Sequence, residues 1–223
     1  LHVGNTVLGQ INCAHNFLKN ILRFNSFTYI RAKLRFFCDL TNSAAIIFTT
    51  FAAQYMSMLH MDITTHQKEK EMNGNDAMTL HDILKEYWGY DSFRPKQEDI
   101  VNAALDGRDV LAILPTGGGK SVCFQVPALM RDGIAIVVTP LIALMKDQVQ
   151  NLNDRGIKAL CVHAGMGRRE VELTLNNAAY GDFRFLYVSP ERLSTQLFHN
   201  YLQEMNVSFI VVDEAHCISQ WGY

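Results

Sequence analysis

Five short apolar runs punctuate the second half of the chain, at residues 110–114, 134–139, 159–162, 185–188 and 207–212. None alternates with polar residues, so each reads as a strand buried on both faces rather than on one. The gaps between them are long enough for helices, most clearly at residues 141–153, where Gly156 marks the stop. Strands separated by helical crossovers build a parallel sheet covered on both sides, the α/β class. In such sheets ligands bind in the crevice outside the carboxyl ends of the strands. Any chemistry should therefore follow directly after an apolar run.

Two helices are expected ahead of the first strand. Thr79-Leu80-His81-Asp82 has the form of a helix start with a carboxylate three residues on. Leu80, Ile83, Leu84, Tyr87 and Trp88 then recur at helical spacing, and Gly89 ends the run. Pro95 is placed to occupy the first turn of a second helix reaching Leu105, with Asp106-Gly107 as its stop.

The first 71 residues are a different kind of sequence. They carry 7 basic and 4 acidic side chains, against 13 and 18 in residues 72–223, and only two of the 14 glycines. The stretch between Asp39 and Asp62 lacks Lys, Arg, Asp and Glu, and Arg31, Lys33 and Arg35 precede it. Asn42, Ser43, Thr49, Thr50, Gln54 and Ser57 dilute it below the ~20 predominantly apolar residues of a membrane span. It also starts too late for a secretory signal. Residues 1–71 are therefore expected to be a poorly ordered extension, and Leu1 in place of Met leaves open whether they are native coding sequence. Residues 72–223 form the expected domain.

Composition narrows the class further. A net charge of −2 rules out a uniformly basic nucleic-acid surface, so any such contact must come from local placement. Cys13, Cys38, Cys123, Cys161 and Cys217 show no Cys-x-x-Cys spacing, which argues against a disulfide framework or a zinc site.

Four segments at strand ends carry chemistry. Leu114-Pro115-Thr116-Gly117-Gly118-Gly119-Lys120-Ser121 joins a strand to a helix. Its glycines let backbone N–H groups turn inward around phosphate oxygens. The helix N-terminus adds its positive dipole end, Lys120 can reach the terminal phosphates, and the Ser121 hydroxyl can ligate Mg2+. Leu114 stands where the strict phosphate-loop pattern has its first glycine. Val211-Val212-Asp213-Glu214-Ala215-His216 closes another strand, and its carboxylates can divide their work. Asp213 suits a metal held through its water shell, and Glu214 can orient and deprotonate an attacking water. In Gly89-Tyr90-Asp91-Ser92-Phe93-Arg94-Pro95-Lys96-Gln97, the Gln97 amide can read adenine and an aromatic ring can stack on it; taken alone, the segment reads as an aromatic loop and helix cap. Thr139–Gln148 and Ser189-Pro190-Glu191-Arg192 could track a phosphate backbone, or could simply be strand-turn-helix punctuation.

In order and spacing these segments closely resemble the RecQ family of superfamily 2 DNA helicases, over about residues 79–223. Phe93-Arg94-Pro95-Lys96-Gln97 looks like that family's adenine motif, Pro115 to Ser121 like its Walker A variant and Asp213-Glu214-Ala215-His216 like its Walker B. Cys217-Ile218-Ser219-Gln220-Trp221-Gly222 resembles the opening of its aromatic-rich loop, a tail that DEAD-box and DEAH-box RNA helicases lack. Tyr223 departs from the family's His at that place. The resemblance implies a RecA-like P-loop NTPase domain, the first lobe of an ATP-dependent 3′-to-5′ DNA helicase of recombination and repair, with ATP and Mg2+ as cofactors. It implies nucleotide contacts at Tyr90, Arg94, Gln97, Thr116, Gly117, Gly118, Gly119, Lys120 and Ser121. Ser121 and Asp213 would hold the metal; Lys120, Asp213, Glu214 and His216 would serve catalysis. Thr139, Ser189 and Trp221 would face single-stranded or partly unwound DNA. It further implies a bacterial cytoplasmic protein with no membrane partner, and a second lobe needed for activity. On that reading the sequence is an N-terminal fragment, its lobe incomplete in the aromatic-rich loop and inactive alone. The alternative is a non-catalytic nucleotide- or nucleic-acid-binding module, with residues 1–71 as an anchor.

Overall fold

The fold, a computed structural model describing residues 44–50, 78–115 and 117–214, is organised by how its strands divide their side chains. In β3 (Ile134–Val138), Ile134, Ile136 and Val138 enter one core while Ala135 and Val137 enter the other. β5 (Phe185–Val188) and β6 (Val207–Val212) divide in the same way: Leu186, Val188, Ile210 and Val212 go to the first core, and Phe185, Tyr187, Phe209 and Val211 to the second. All residues of these three strands are buried. This is the two-faced burial read from the unbroken apolar runs.

Helices cover both faces. The first core is closed by α5 (Arg168–Tyr180) through Val171, Leu175 and Ala178, and by α7 (Gln196–Leu202) through Phe198. The second is closed by α3 (Lys120–Met130) through Cys123, Phe124 and Ala128, and by α4 (Ile142–Asp154) through Met145 and Leu152. α1 (Leu80–Trp88) and α2 (Gln97–Leu105) pack outside α3 around Ile83, Leu84, Val101, Val122 and Val126. A single turn, α6 (Pro190–Leu193), follows β5.

The six-stranded sheet has the order β2-β1-β6-β3-β5-β4, with β1 at Ala44–Thr50, β2 at Val110–Leu114 and β4 at Ala159–Val162. β3, β4, β5 and β6 pair in parallel, and β1 runs antiparallel to both of its neighbours. The five strands expected from the sequence therefore all point the same way. β1 makes the sheet mixed rather than purely parallel, and it comes from the extension expected to be poorly ordered. Ala44 to Phe48 pair with Leu114 to Val110, and Ile47 to Thr50 pair with Val212 to Phe209. The handedness rule for crossovers applies to parallel neighbours, and β1, antiparallel to both of its neighbours, falls outside it. Among the described residues no helix is long and apolar enough to cross a membrane.

Local signals explain the element ends. The expected capping box forms: the Asp82 N–H donates to Thr79 Oγ1 at 3.2 Å, and the Thr79 N–H donates to Asp82 Oδ2 at 2.8 Å. The Thr79 hydroxyl, donating to Asp82 Oδ2 at 2.7 Å, and after it the Thr79 N–H favour the carboxylate and hold Asp82 below its ordinary pKa. Gly89 closes α1 in the left-handed region at φ 71°, as the helix stop required. The start of α2 differs from expectation, because Pro95 lies outside the helix. The Arg94 N–H donates to Gln97 Oε1 at 2.8 Å, the Gln97 N–H donates to the Arg94 carbonyl at 3.0 Å, and Lys96 is left-handed at φ 71°. That closed turn delays the first helical residue to Gln97.

Two arginines fasten the helix ends to the sheet. Arg184, just before β5, donates to the carbonyls of Ala128, Leu129 and Arg131 at the end of α3. Arg131 donates to the Leu105 carbonyl at 2.6 Å and lies 4.8 Å from the centre of the Phe209 ring. Arg184→Ala leaves three carbonyls without their charged donor and is expected to cost about 1.5–3 kcal/mol, the worth of a charged hydrogen bond. Urea denaturation followed by far-ultraviolet circular dichroism checks it.

Candidate nucleotide site at the strand ends

The loop after β2 turns on two left-handed glycines, Gly117 at φ 77° and Gly119 at φ 73°, and Gly119 caps the start of α3. A side chain on Gly118 would press its Cβ to 2.8 Å from the Pro115 carbonyl oxygen, too close to tolerate. The loop is held by the adenine-type motif before α2. Arg94 donates to the Gly117 carbonyl at 2.7 Å, and Gln97 Nε2 donates to the carbonyls of Gly118 at 3.2 Å and Gly119 at 3.0 Å. The Gly118 N–H turns back onto the Pro115 carbonyl at 2.9 Å, closing the turn that brings the chain to the head of α3, where a helix N-terminus favours an anion.

Gln97 is buried, and both ends of its amide are engaged, Oε1 on the Arg94 N–H and Nε2 on the loop. Its position is therefore that of a strut between motif and loop. Tyr90 is exposed, on a loop tied down by the ion pair of Lys85 with Asp91 at 2.9 Å. Thr116 lies outside the described residues.

The opposite wall comes from the end of β6. Asp213 is 3% exposed, and its N–H donates to the Val138 carbonyl at 2.9 Å, extending the β6–β3 ladder by one residue. Its Oδ1 accepts from the Glu214 N–H at 2.9 Å and its Oδ2 from Gln148 Nε2 at 3.2 Å. Burial nevertheless dominates and pushes the carboxyl above its ordinary value, against those bonds and the nearby Lys120. Glu214 sits at φ 51°, unusual for a residue with a side chain, and its Oε1 lies 3.9 Å from Lys120 Nζ. The structure thus brings Lys120, Asp213 and Glu214 together, with Ser121 one residue on at the first turn of α3.

The donor set suits a hard divalent cation. Asp213 and Ser121 offer oxygen ligands, and among the described residues no group of three or more His, Cys, Asp or Glu gathers into a cage. Mg2+ is characteristically held by one or two protein oxygens, with water and phosphate completing its shell. A buried carboxylate with a raised pKa is also one whose charge a dication would stabilise.

The DNA-side expectations are placed differently. Thr139 and Ser189, at the ends of the paired strands β3 and β5, are 0% and 1% exposed. Neither hydroxyl has a hydrogen-bond partner among the described residues. Beside them Arg192 gathers the carbonyls of His163, Ala164 and Met166 at 3.0, 3.1 and 2.7 Å, shaping the loop after β4. Lys146 and Arg192 both act on buried His163, whose pKa is lowered first by burial. His216 and Trp221 lie outside the described residues. Gln125, Gln148 and Tyr187, which sequence reasoning did not single out as site residues, form the support behind Asp213. Their one legible signal is a tyrosine inside a doubly buried strand, since a buried phenol requires a partner.

Two outcomes test the geometry. In Gly119→Ala the new Cβ would overlap the Gln97 amide nitrogen on a backbone at φ 73°. Affinity for a fluorescent ATP analogue is expected to fall at least about tenfold, as backbone strain and a lost strut together exceed 1.4 kcal/mol. The second concerns pH. A carboxyl raised by folding contributes stability below the ordinary carboxylate value of 3.8 and loses it as pH rises through the raised value. Asp213→Asn removes that loss. The variant should gain on the parent between pH 4 and pH 7, read from denaturation midpoints at both values.

A DEAD/DEAH box helicase family model matches residues 94–223, more than half of the chain. The ATP-dependent DNA helicase RecQ of Haemophilus influenzae is 46% identical over 145 residues, covering 65% of this chain and 23% of that protein. Its Synechocystis counterpart is 44% identical over 149 residues, covering 66% and 31%. The Bacillus subtilis RecQ is 44% identical over 142 residues, covering 63% and 24%. The chain spans about a quarter to a third of the length of these curated relatives. With the family match falling on the strand ends that gather Lys120, Asp213 and Glu214, the chain belongs to the DEAD/DEAH box helicase family.

Proposed function

We propose that these residues form the first lobe of an ATP-dependent DNA helicase of RecQ type, the lobe that binds MgATP and one face of the DNA. The observation that carries the reading is the approach of Lys120 Nζ to Glu214 Oε1, 3.9 Å apart beside the buried carboxylate of Asp213. A cation for phosphates, a carboxylate for a metal and a second carboxylate for water are the parts that phosphoryl transfer to water requires.

Each residue then has a defined task. The N–H groups of Gly117 and Gly119 and the dipole of α3 receive the phosphates, Gly118 shapes the turn through its N–H bond to the Pro115 carbonyl, and Lys120 exchanges Glu214 for the terminal phosphate oxygens. Mg2+, held by the Ser121 hydroxyl and by Asp213 through water, would neutralise charge developing on the phosphates. Glu214, released from Lys120, orients the water and accepts its proton, with His216 two residues on in the sequence as the link towards the DNA-responsive loop. Tyr90 offers an exposed ring to the base, and Arg94 and Gln97 convey the occupancy of that side to the loop carbonyls they hold. Thr116 completes the loop.

DNA is assigned to the edge where β3, β4 and β5 end. Thr139 and Ser189 are too buried to touch a strand directly. Their unpartnered hydroxyls support a water-bridged contact instead, with Lys146 nearby as a local positive charge and Trp221 as the stacking residue. A second lobe completes the motor, since related NTPases draw ~10³–10⁵ in rate from an arginine supplied across the cleft. Turnover by residues 1–223 alone is accordingly expected to be negligible. The reading carries with it residence in the bacterial cytoplasm, where chromosomal DNA and ATP meet.

ATP hydrolysis by the protein that contains this chain, measured with and without single-stranded DNA, tests the proposal. DNA should stimulate turnover, and Lys120→Ala should reduce it by about a hundredfold or more, a loss of at least ~2.7 kcal/mol of transition-state stabilisation. Nucleotide binding without DNA-stimulated turnover would instead identify a non-catalytic binding module.

A further inference from the structure

Behind the site, a line of buried polar side chains crosses an otherwise apolar core. Gln125 of α3 donates from Nε2 to the Tyr187 hydroxyl at 3.1 Å. The Tyr187 hydroxyl donates to Gln148 Oε1 at 2.8 Å, and Gln148 Nε2 donates to Asp213 Oδ2 at 3.2 Å. Tyr187 is fully buried among Ala135, Val137, Phe185 and Val211, and Gln125 is 5% exposed. A phenylalanine would fill the same space without needing partners, so the hydroxyl calls for its own account.

The line has a fixed direction. A phenol carries a single proton, and here it goes to Gln148 Oε1. That bond turns the Gln148 amide so that its NH2 group, not its carbonyl, meets the carboxylate. Were the amide reversed, its oxygen would face a carboxylate oxygen and the contact would be repulsive. Gln125 completes the arrangement by donating to the phenol oxygen, leaving the hydroxyl proton for Gln148. Every donor in the line therefore points towards Asp213.

We propose that Tyr187 and Gln148 are positioning residues for the nucleotide-bound metal: the Tyr187 hydroxyl fixes the Gln148 amide, and Gln148 fixes the plane of the Asp213 carboxylate. The inference rests on the reading of Asp213 as the metal-side carboxylate. It has a structural corollary. Gln148 belongs to α4, whose N-terminus follows Thr139 at the edge assigned to DNA, whereas Asp213 ends β6 at the nucleotide. Besides their shared apolar core, the Gln148 amide ties α4 to the Asp213 carboxylate itself, so a shift of α4 along its axis would be felt at Asp213 through this amide. Outer partners that orient metal ligands typically govern metal affinity by 10–100-fold.

The test separates metal from nucleotide. Binding of a fluorescent ATP analogue is titrated with Mg2+ and, separately, in excess EDTA, for the parent, Tyr187→Phe, Gln148→Leu and Asp213→Asn. Tyr187→Phe and Gln148→Leu should raise the Mg2+ concentration for half-maximal binding on the order of tenfold, while the affinity in EDTA stays within about twofold. Asp213→Asn should abolish the Mg2+ dependence. Unchanged Mg2+ dependence in folded Tyr187→Phe or Gln148→Leu overturns the inference, as does an equal loss in EDTA, which signals general disruption. If Tyr187→Phe does not fold, Gln148→Leu, at a half-buried position, carries the test. If Asp213→Asn keeps the parent's Mg2+ dependence, or the parent binds no nucleotide, the metal-site reading fails and takes the positioning role with it.

Discussion

Burial of β3, β5 and β6 on both faces is the constraint from which the rest of the architecture follows. A strand with no solvent face cannot spend alternate positions on polar residues, so its chemistry is expelled to its ends. Parallel pairing with helical crossovers then brings every carboxyl end to the same edge. The consequence is visible in the order of the sequence itself. Thr139, Ser189 and Asp213-Glu214 each follow directly on a strand and Gly117 to Ser121 begin three residues after one, so each reaches the same edge without any long loop to position it.

The same constraint sets how the site is rigidified. A loop at a strand end has no neighbouring strand to hold it, and here the missing support comes from side chains. Gln97 from a buried position and Arg94 from the surface take the carbonyls of the loop after β2, and Gln148 takes the second oxygen of Asp213. The two glutamine amides meet backbone and carboxylate oxygen away from bulk water, where such bonds are strong and their absence costly. The loop after β2 and the Asp213 carboxylate are thereby held in place by the protein's own groups, the kind of pre-organisation that electrostatic catalysis needs.

Much of this was legible in the residues. The five strand positions, the capping box at Thr79 and Asp82, the glycine stop at Gly89 and the grouping of Lys120 with Asp213 and Glu214 are all properties of local pattern or of strand-end placement. Features that depend on a distant partner were not. The left-handed Lys96 arises because Gln97 folds its amide back onto Arg94 and forward onto the loop, which delays α2 past Pro95. The burial of Thr139 and Ser189 follows from each being the next residue of a doubly buried strand, with its N–H still in the ladder: the Thr139 N–H donates to the Val188 carbonyl, and the Ser189 N–H to the Val162 carbonyl. β1 had no periodic signature of its own, and its place is decided by the open edges of β2 and β6.

That place bears on the site's dimensions. Because β1 lies between β2 and β6, the strands carrying the phosphate loop and the carboxylates are second neighbours, roughly 9–10 Å apart at ordinary strand spacing. A gap of that width is too large for short side chains to close. It is closed by Lys120 and Glu214, each long and flexible, which meet at 3.9 Å from opposite walls. Asp213, one methylene shorter than glutamate and buried, stays on its own wall. Among the described residues the long pair bridges that space, and an ion pair at the limit of contact is weak enough to yield to a more highly charged guest. A polyphosphate with its cation fits that description, since it brings anionic oxygens for Lys120 and positive charge for the carboxylates at once. The spacing that makes the Lys120–Glu214 pair a poor stabiliser of the fold is what leaves the site ready to exchange it.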